Sequence, residues 1–294
     1  MKLHEKQKIL KDLIEKINQS DISTIKTTLT QIIRLINDPD AGAKDLKDVI
    51  EIDPPLCARL LRRSNSVFYG APRKFTNIQE AIIWIGFNAV KELALSQKVC
   101  ELFEKADVID GYSRKALWQN SVAVALCGKY IYRREFRLGG EDIYTVGLLH
   151  NIGIIIEDQF FHDDFEKAVK HFSTGDESLY VAEKSILGIT HADIGHCLGK
   201  NWNFPDMFST AIGYHHNPVS GRKWSEEEER LVQTLHIADY ICNAGNIGYG
   251  DIVCGTGRRY RECLHNLGIE EVALEIILED VHEEIIRMQE AGWL

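Results

Sequence analysis

The sequence predicts an all-α protein made of two helical units. Apolar residues recur at the i, i+3, i+4 and i+7 spacing of an amphipathic helix through most of the 294 residues. No run shows the convincing alternation of apolar and polar residues that is typical of a half-buried strand. Hydrophobic residues make up 45% of the chain and charged residues 27%, which is ordinary for a folded protein and excludes a disordered chain or a small disulfide scaffold.

Helix signals divide the first part of the chain into short segments. The predicted helices are Leu10–Ile17, Ile22–Ile36, Leu46–Ile50, Pro54–Asn65, Ile78–Ile85 and Val90–Phe103. Pro54 and Pro55 suit the first turn of a helix, where the missing amide hydrogen costs nothing. Asn77 is an N-cap candidate, with Glu80 as its capping-box partner.

The second part of the chain is predicted to be helical as well. Its helices are expected at Tyr112–Arg134, Tyr144–Gln159, Phe165–Phe172, Glu177–Leu187, His191–Trp202, Met207–His215, Glu226–Cys242 and Glu270–Arg287. Asn243–Gly257 holds five glycines and is predicted to be an irregular loop. Trp202 and Pro205 are assigned to packing and to helix punctuation.

Charge separates the two units. Residues 1–105 carry 17 basic and 14 acidic side chains, a net charge of +3, whereas residues 106–294 carry 17 and 30, a net charge of −13. We therefore divide the chain into an N-terminal helix (1–20), an N-terminal helical subdomain (21–108) and a second helical subdomain (109–294), with the boundary in the polar stretch Lys105–Tyr112. The overall charge of −10 disfavours a nucleic-acid partner, which would select a broad basic face.

The cysteines, the N-terminus and the apolar runs indicate the cellular compartment. The seven cysteines include no pair at C-x-x-C spacing, which argues against a disulfide framework or a cysteine zinc site. The N-terminus is polar and lacks the apolar core of a signal peptide. No apolar run approaches the roughly 18–20 residues that cross a bilayer, so no membrane association is expected. These features predict a cytoplasmic protein.

Histidines cluster in the apolar segments of the second unit. His150, His191 and the pair His215–His216 lie in or beside apolar helical segments, as does Asp239. A buried imidazole needs a hydrogen-bond partner or a metal, and neutral imidazole is the commonest protein ligand of zinc, iron and nickel. Side chains from different helices can converge inside a helical bundle. The pattern therefore leaves two readings open, a metal site or separate core histidines.

Several segments together resemble the HDOD family, a helical relative of the HD superfamily of metal-dependent phosphohydrolases. The resemblance spans roughly residues 20–290. It rests on Ile50–Ser66, Phe68–Gly70 and Ile78–Val90 in the first unit, and on Leu117–Ser121, Gly147–Gly153, His191–Pro205 and His215–Pro218 in the second. It implies an N-terminal helical subdomain packed on a C-terminal HD-like bundle, in a bacterial signal-transduction setting.

The resemblance also implies a partial metal site. His191, His215 and His216 match the histidines that hold the second metal in related phosphodiesterases, and His150 and Asp239 match ligands of the first. This set would bind a single divalent or transition metal ion, iron, zinc or nickel.

Three other positions depart from the catalytic pattern. Asn120 stands where catalytic HD proteins have a histidine, Asn151 replaces the aspartate that bridges two metals, and Ile154 replaces a lysine that is common in active members. Hydrolysis of a phosphodiester benefits from two metals about 3.5–4 Å apart. We therefore assign no catalytic residue.

A basic face is the second candidate site. Arg59, Arg62 and Arg63 share one side of a predicted helix and would contact a partner or a phosphate group. The alternative is a solvated face, or salt bridges to the acidic second unit.

Three functions remain open from the sequence. The first is a non-catalytic regulatory module with a remnant metal or ligand pocket, whose partner is a signalling protein or a small nucleotide. The second is a metal-dependent phosphohydrolase acting on nucleotides or cyclic dinucleotides. The third is a metal-free protein-interaction scaffold.

Overall fold

A computed structural model of the chain describes residues 3–104, 108–109, 111–174, 177–250, 257–292 and 294. The first unit is helical, as predicted. Its elements are α1 (Leu3–Asn18), α2 (Ile22–Ile36), α3 (Ala43–Glu51), α4 (Pro54–Ser64), a 3₁₀ turn (Val67–Tyr69), α5 (Ile78–Ile85), α6 (Phe87–Cys100) and a second 3₁₀ turn (Glu101–Phe103).

Side-chain caps start two of these helices where the sequence predicts them. The Asp53 carboxylate accepts from the Leu56 amide at 3.0 Å, and Pro54 opens α4. The Asn77 side chain accepts from the Glu80 amide at 2.9 Å and begins α5. Each cap satisfies an amide that the first turn of the helix leaves without a partner.

The second unit begins with a short antiparallel ribbon and continues as helices. Its elements are β1 (Val108–Ile109), β2 (Tyr112–Ser113), α7 (Arg114–Glu135), α8 (Glu141–Leu149), α9 (Ile152–Phe160), α10 (His162–Thr174), α11 (Leu179–Ile186), α12 (His191–Asn201), α13 (Asp206–Tyr214), α14 (Glu226–Ala244), α15 (Arg258–Leu267) and α16 (Glu271–Glu290). A buried ion pair between Arg114 Nε and Asp158 Oδ2, 2.5 Å apart, ties the start of α7 to α9. Trp202 is fully buried, as its assignment to packing predicts.

The structure differs from one helix prediction in this unit and adds one helix that was not predicted. The segment Tyr144–Gln159 is two helices rather than one, because the backbone of Asn151 (φ −97°, ψ 13°) is not helical. Apolar residues flank both sides of the break, so hydrophobic periodicity carries no sign of it. Helix α15 was not predicted, because its sequence is mostly polar and buries only Tyr260, Cys263 and Leu264.

Part of the predicted loop Asn243–Gly257 and of the boundary Lys105–Tyr112 lies outside the described residues, as does Cys254. The other six cysteines are free thiols. None of the helices in the described ranges is long and apolar enough to cross a bilayer.

The two units share one continuous core and contact each other directly. Helices α2 and α6 of the first unit pack on α8 of the second, and α1 packs on α12. At the α1 contact, Lys6 Nζ lies 2.6 Å from Asp193 Oδ2. Asp193 also accepts from the Thr190 amide and so caps α12, which begins at His191. The division at residue 108 remains a prediction.

Candidate metal centre

Helix ends place the predicted histidines. His191 is the first residue of α12, and His215 and His216 directly follow α13. His150 directly follows α8, and Asp239 lies within α14. Because α12 packs on α13 and on α9, these helix ends meet in the interior of the second unit.

The side chains of His191, His215 and His216 form a compact group, here called the three-histidine cluster. His191 Nε2 lies 2.9 Å from His216 Nε2 and 3.4 Å from His215 Nε2. One ring nitrogen from each residue lies within 4.8 Å of the others. His191 and His215 are fully buried, and His216 is 7% exposed. The structure thus brings together the histidines that the resemblance assigned to one metal.

Hydrogen bonds on the opposite ring nitrogens fix the tautomers. His191 Nδ1 donates to the Glu183 carboxylate at 2.8 Å, and His215 Nδ1 donates to the Ile212 carbonyl at 2.6 Å. Since carboxylate and carbonyl oxygens only accept, each Nδ1 carries the proton and each Nε2 keeps its lone pair. This is the tautomer that binds a metal ion through Nε2.

The separations and protonation of the cluster fit a cation. Burial, together with the neighbouring imidazoles, lowers the pKa of His215 well below its ordinary value, so this ring is neutral. Lone pairs that face each other at such short distances repel unless a proton or a cation lies between them. In a tetrahedral site with zinc–nitrogen bonds of about 2.0–2.1 Å, two ligand nitrogens are about 3.3 Å apart. The cluster could therefore hold one transition-metal ion.

Two buried glutamates stand behind His191, and sequence reasoning missed both. Glu183 on α11 accepts from the backbone amide of His191 at 2.9 Å, in addition to its bond with the ring. Burial and the adjacent Glu183 charge raise the pKa of Glu157, on α9, well above its ordinary range. Glu157 is therefore protonated and uncharged. The pair orients His191 and leaves one negative charge next to the cluster.

His150 and Asp239 lie on the other side of His215. The rings of His150 and His215 are 5.3 Å apart between centroids. His150 Nε2 is 3.6 Å from Asp239 Oδ1, and that oxygen also accepts from Asn243 Nδ2 at 2.8 Å. His150 Nδ1 donates to the Gly147 carbonyl at 2.7 Å. All five predicted ligands are thus in one buried region, while a role for His150 and Asp239 in holding a metal remains a prediction.

Two fully buried asparagines are grouped with this pair, because the resemblance assigns their positions to the same metal. Asn120 lies on α7 and Asn151 directly follows His150. Asn120, His150, Asn151 and Asp239 are here called the asparagine side. Asn120 Nδ2 donates to the Ile247 carbonyl at 3.2 Å. Several buried polar atoms have no hydrogen-bond partner within the described ranges: Asn120 Oδ1, Asp239 Oδ2 and both side-chain polar atoms of Asn151. Buried polar atoms of this kind are costly to leave unsatisfied. The asparagine side therefore suits a polar occupant but offers a single carboxylate.

The cluster is closed to large molecules. His191, His215, His150 and Asp239 have no exposed surface, and the Tyr180 ring covers His216 at 4.8 Å between centroids. An ion needs only a small opening to reach these nitrogens. A phosphodiester would need the covering side chains to move.

The predicted basic face lies on α4, in the first unit. Arg59 pairs with Glu104 and lies 3.7 Å from Glu101. The expected alternative, ion pairs with the acidic second unit, is therefore wrong for Arg59, because Glu101 and Glu104 both belong to the first unit. Arg62 is exposed, and Arg63 is half-buried.

A comparison with family models identifies the domain. The model of the HDOD domain matches residues 22–218, which is most of the chain. The chain belongs to the HDOD family. The match contains α2 to α13 and thus His150 and the whole three-histidine cluster, while Asp239 lies beyond it.

Known HDOD-like structures share the fold. An HDOD domain protein of unknown function from Geobacter sulfurreducens is 23% identical, with a TM-score of 0.73 and 90% of each chain covered. A Marinobacter aquaeolei protein, provisionally described as a signal transduction protein, is 27% identical, with a TM-score of 0.68 over 90% of this chain and 56% of its own.

A curated relative is an uncharacterized protein of Treponema pallidum. It is 26% identical over 223 residues, which are 74% of this HDOD chain. The chain spans only 42% of the length of that relative.

Proposed function

We propose that this HDOD chain is a regulatory module that holds one transition-metal ion in its three-histidine cluster and does not hydrolyse phosphodiesters. Iron, zinc and nickel suit three imidazole nitrogens. His191, His215 and His216 would hold the ion, with Glu183 orienting His191. The partner would be a signalling protein or a small nucleotide, and its binding would depend on whether the cluster holds the ion.

One observation carries this proposal. Three Nε2 atoms converge in a buried cluster, while the positions that the resemblance assigns to a second ion carry uncharged amides. Asn120 and Asn151 add no negative charge to balance a second divalent cation. When bound, the single ion would supply positive charge and a cross-link between α12 and the end of α13.

The hydrolase alternative keeps one structural argument in its favour. Asp239 Oδ2 has no partner among the described residues and lies on the carboxylate that contacts His150. That atom could accept a ligand in a second site. The closed surface over the donors and the missing second carboxylate favour the regulatory function instead.

Metal content tests the proposal directly. We expect purified or reconstituted wild-type protein to contain about one equivalent of iron, zinc or nickel by elemental analysis. A His191→Ala/His215→Ala variant should lose it. His196→Ala serves as a matched control, because His196 is also on α12 but donates to the Ser209 carbonyl.

Two results would contradict the proposal. Absence of metal from the reconstituted wild type would favour the scaffold function. Metal-dependent hydrolysis of a nucleotide or cyclic dinucleotide, abolished by the double variant, would favour the enzyme. Circular dichroism of each variant separates loss of metal from loss of fold.

A further inference from the structure

A small cavity lies between α4 and α6, within the first unit. Its volume is about 350 Å³, which falls in the range of small-ligand sites. It is lined by Arg59, Arg62, Arg63, Gln97, Cys100 and Glu104. The cavity therefore gathers three guanidinium groups and one carboxylate.

The three arginines differ in what already neutralises them. Arg59 is paired with Glu104 and has Glu101 nearby. Arg62 forms no ion pair with any part of the chain that the structure describes. Burial lowers the pKa of Arg63 from its ordinary value, which leaves it charged but poorly hydrated. The cavity thus keeps a positive excess after its own carboxylate is counted.

The α6 side of the cavity is polar and uncharged. Gln97 is only 6% exposed, and its amide makes no hydrogen bond to the described residues. Burial raises the pKa of the Cys100 thiol to about 11, so this group stays neutral. The amide lines the cavity, where water or a ligand can satisfy it. Gln97 therefore adds a donor to a site already lined by guanidinium groups.

We infer that this cavity binds the phosphate groups of a small phosphorylated ligand. Guanidinium groups form paired hydrogen bonds with phosphate oxygens, and Arg62 and Arg63 supply them from adjacent positions of α4. Gln97 donates from the opposite wall. When the ligand binds, Arg59 loses part of its contact with Glu104 and contacts the ligand instead. This site is separate from the three-histidine cluster and needs no metal.

Calorimetric titration with inorganic pyrophosphate tests the inference on the full chain. The buffer holds little salt and contains EDTA, so that no metal recruits the anion elsewhere. We expect one saturable site per chain. Arg62→Gln should weaken binding at least tenfold, and Gln97→Leu should weaken it severalfold while keeping the side-chain volume.

Arg34→Gln is the matched control, because Arg34 is an exposed arginine of the same unit and is not in the cavity. It should leave binding unchanged. The inference is overturned if folded wild type shows no saturable binding at millimolar pyrophosphate, or if Arg62→Gln binds as tightly as Arg34→Gln. A parallel titration with ADP separates two sources of the same chemistry. Tighter binding of ADP than of pyrophosphate supports a nucleotide, and equal binding supports recognition of the phosphates alone.

Discussion

The three-histidine cluster and the asparagine side share one buried region of the HDOD chain but differ in how their polar atoms are supported. In the cluster, Glu183 and the Ile212 carbonyl fix the rings of His191 and His215, and the ring nitrogens face one another. On the asparagine side, several buried amide and carboxylate atoms lack partners within the described ranges. Both sides contain a histidine at a helix end. Charge and hydrogen-bond support, rather than the presence of histidine, therefore distinguish the two sides.

The largest expected effect comes from converting the asparagine side. An Asn120→His/Asn151→Asp variant gains an imidazole and a carboxylate on the asparagine side. We expect the bound metal to rise from about one to about two equivalents, because the added charge offsets that of a second cation. Elemental analysis after reconstitution measures this.

The control for this variant is Asn88→Asp, which places the same charge on an exposed position of α6. It should stay at one equivalent. If the converted protein is folded but also binds only one equivalent of metal, the prediction is wrong, and the two sides differ by more than these two side chains.

A smaller effect concerns His236, which supports the cluster from α14. It donates to the His215 carbonyl at 2.7 Å, and burial lowers its pKa to about 4. The unfolded state, with a pKa near 6.5, then binds more protons below that pH than the folded state does. Stability is therefore lost as pH falls from about 6.5 to about 4, by about 3 kcal/mol for this group alone.

Urea unfolding of the EDTA-treated protein at several pH values checks this. His236→Asn keeps a donor for the same carbonyl and should flatten the profile. His162, which is largely exposed, contributes a pH dependence of stability of the opposite sign, because the backbone and side chain of Asp158 raise its pKa. If the pH dependence of stability is unchanged in His236→Asn, His236 does not gain a proton on unfolding and the prediction is wrong.

The smallest expected effect compares one carboxylate from each side. Glu183→Gln removes the charge behind His191 and should weaken zinc binding about 10–100-fold, as is common when a ligand histidine loses its carboxylate partner. Asp239→Asn should change the same constant less than about threefold, because Asp239 is outside the cluster. Competition with a chromophoric chelator measures both. A larger loss in Asp239→Asn would mean that the ion binds nearer to His150.

Sequence reasoning identified the fold and the three members of the cluster through different signals. Apolar periodicity located nearly all helices, because a buried face repeats along the helix. It failed at Asn151, where the helix breaks between two apolar segments, and at α15, which buries little. Convergence of His191 with His215 followed from the family resemblance, since spacing along the chain does not specify distance in space.

The supporting glutamates show what the sequence could not supply. Glu157 directly follows the apolar run Ile152–Ile156, and this position was a usable sign of a buried acid. Glu183 had no such sign, because it sits in an ordinary amphipathic helix. Only the packing of α9, α11 and α12 places its carboxylate on His191.

The contact between Lys6 and Asp193 gives the buried cluster a thermodynamic connection to the surface. Asp193 caps the helix that His191 begins, so docking of α1 and the position of His191 depend on the same turn of chain. If docking of α1 changes the affinity of the cluster for an ion, then binding of the ion must change the docking equilibrium of α1 by the same factor. Occupancy of a buried site would then be detectable at the surface of the protein, as a change in the fraction of molecules in which α1 is undocked.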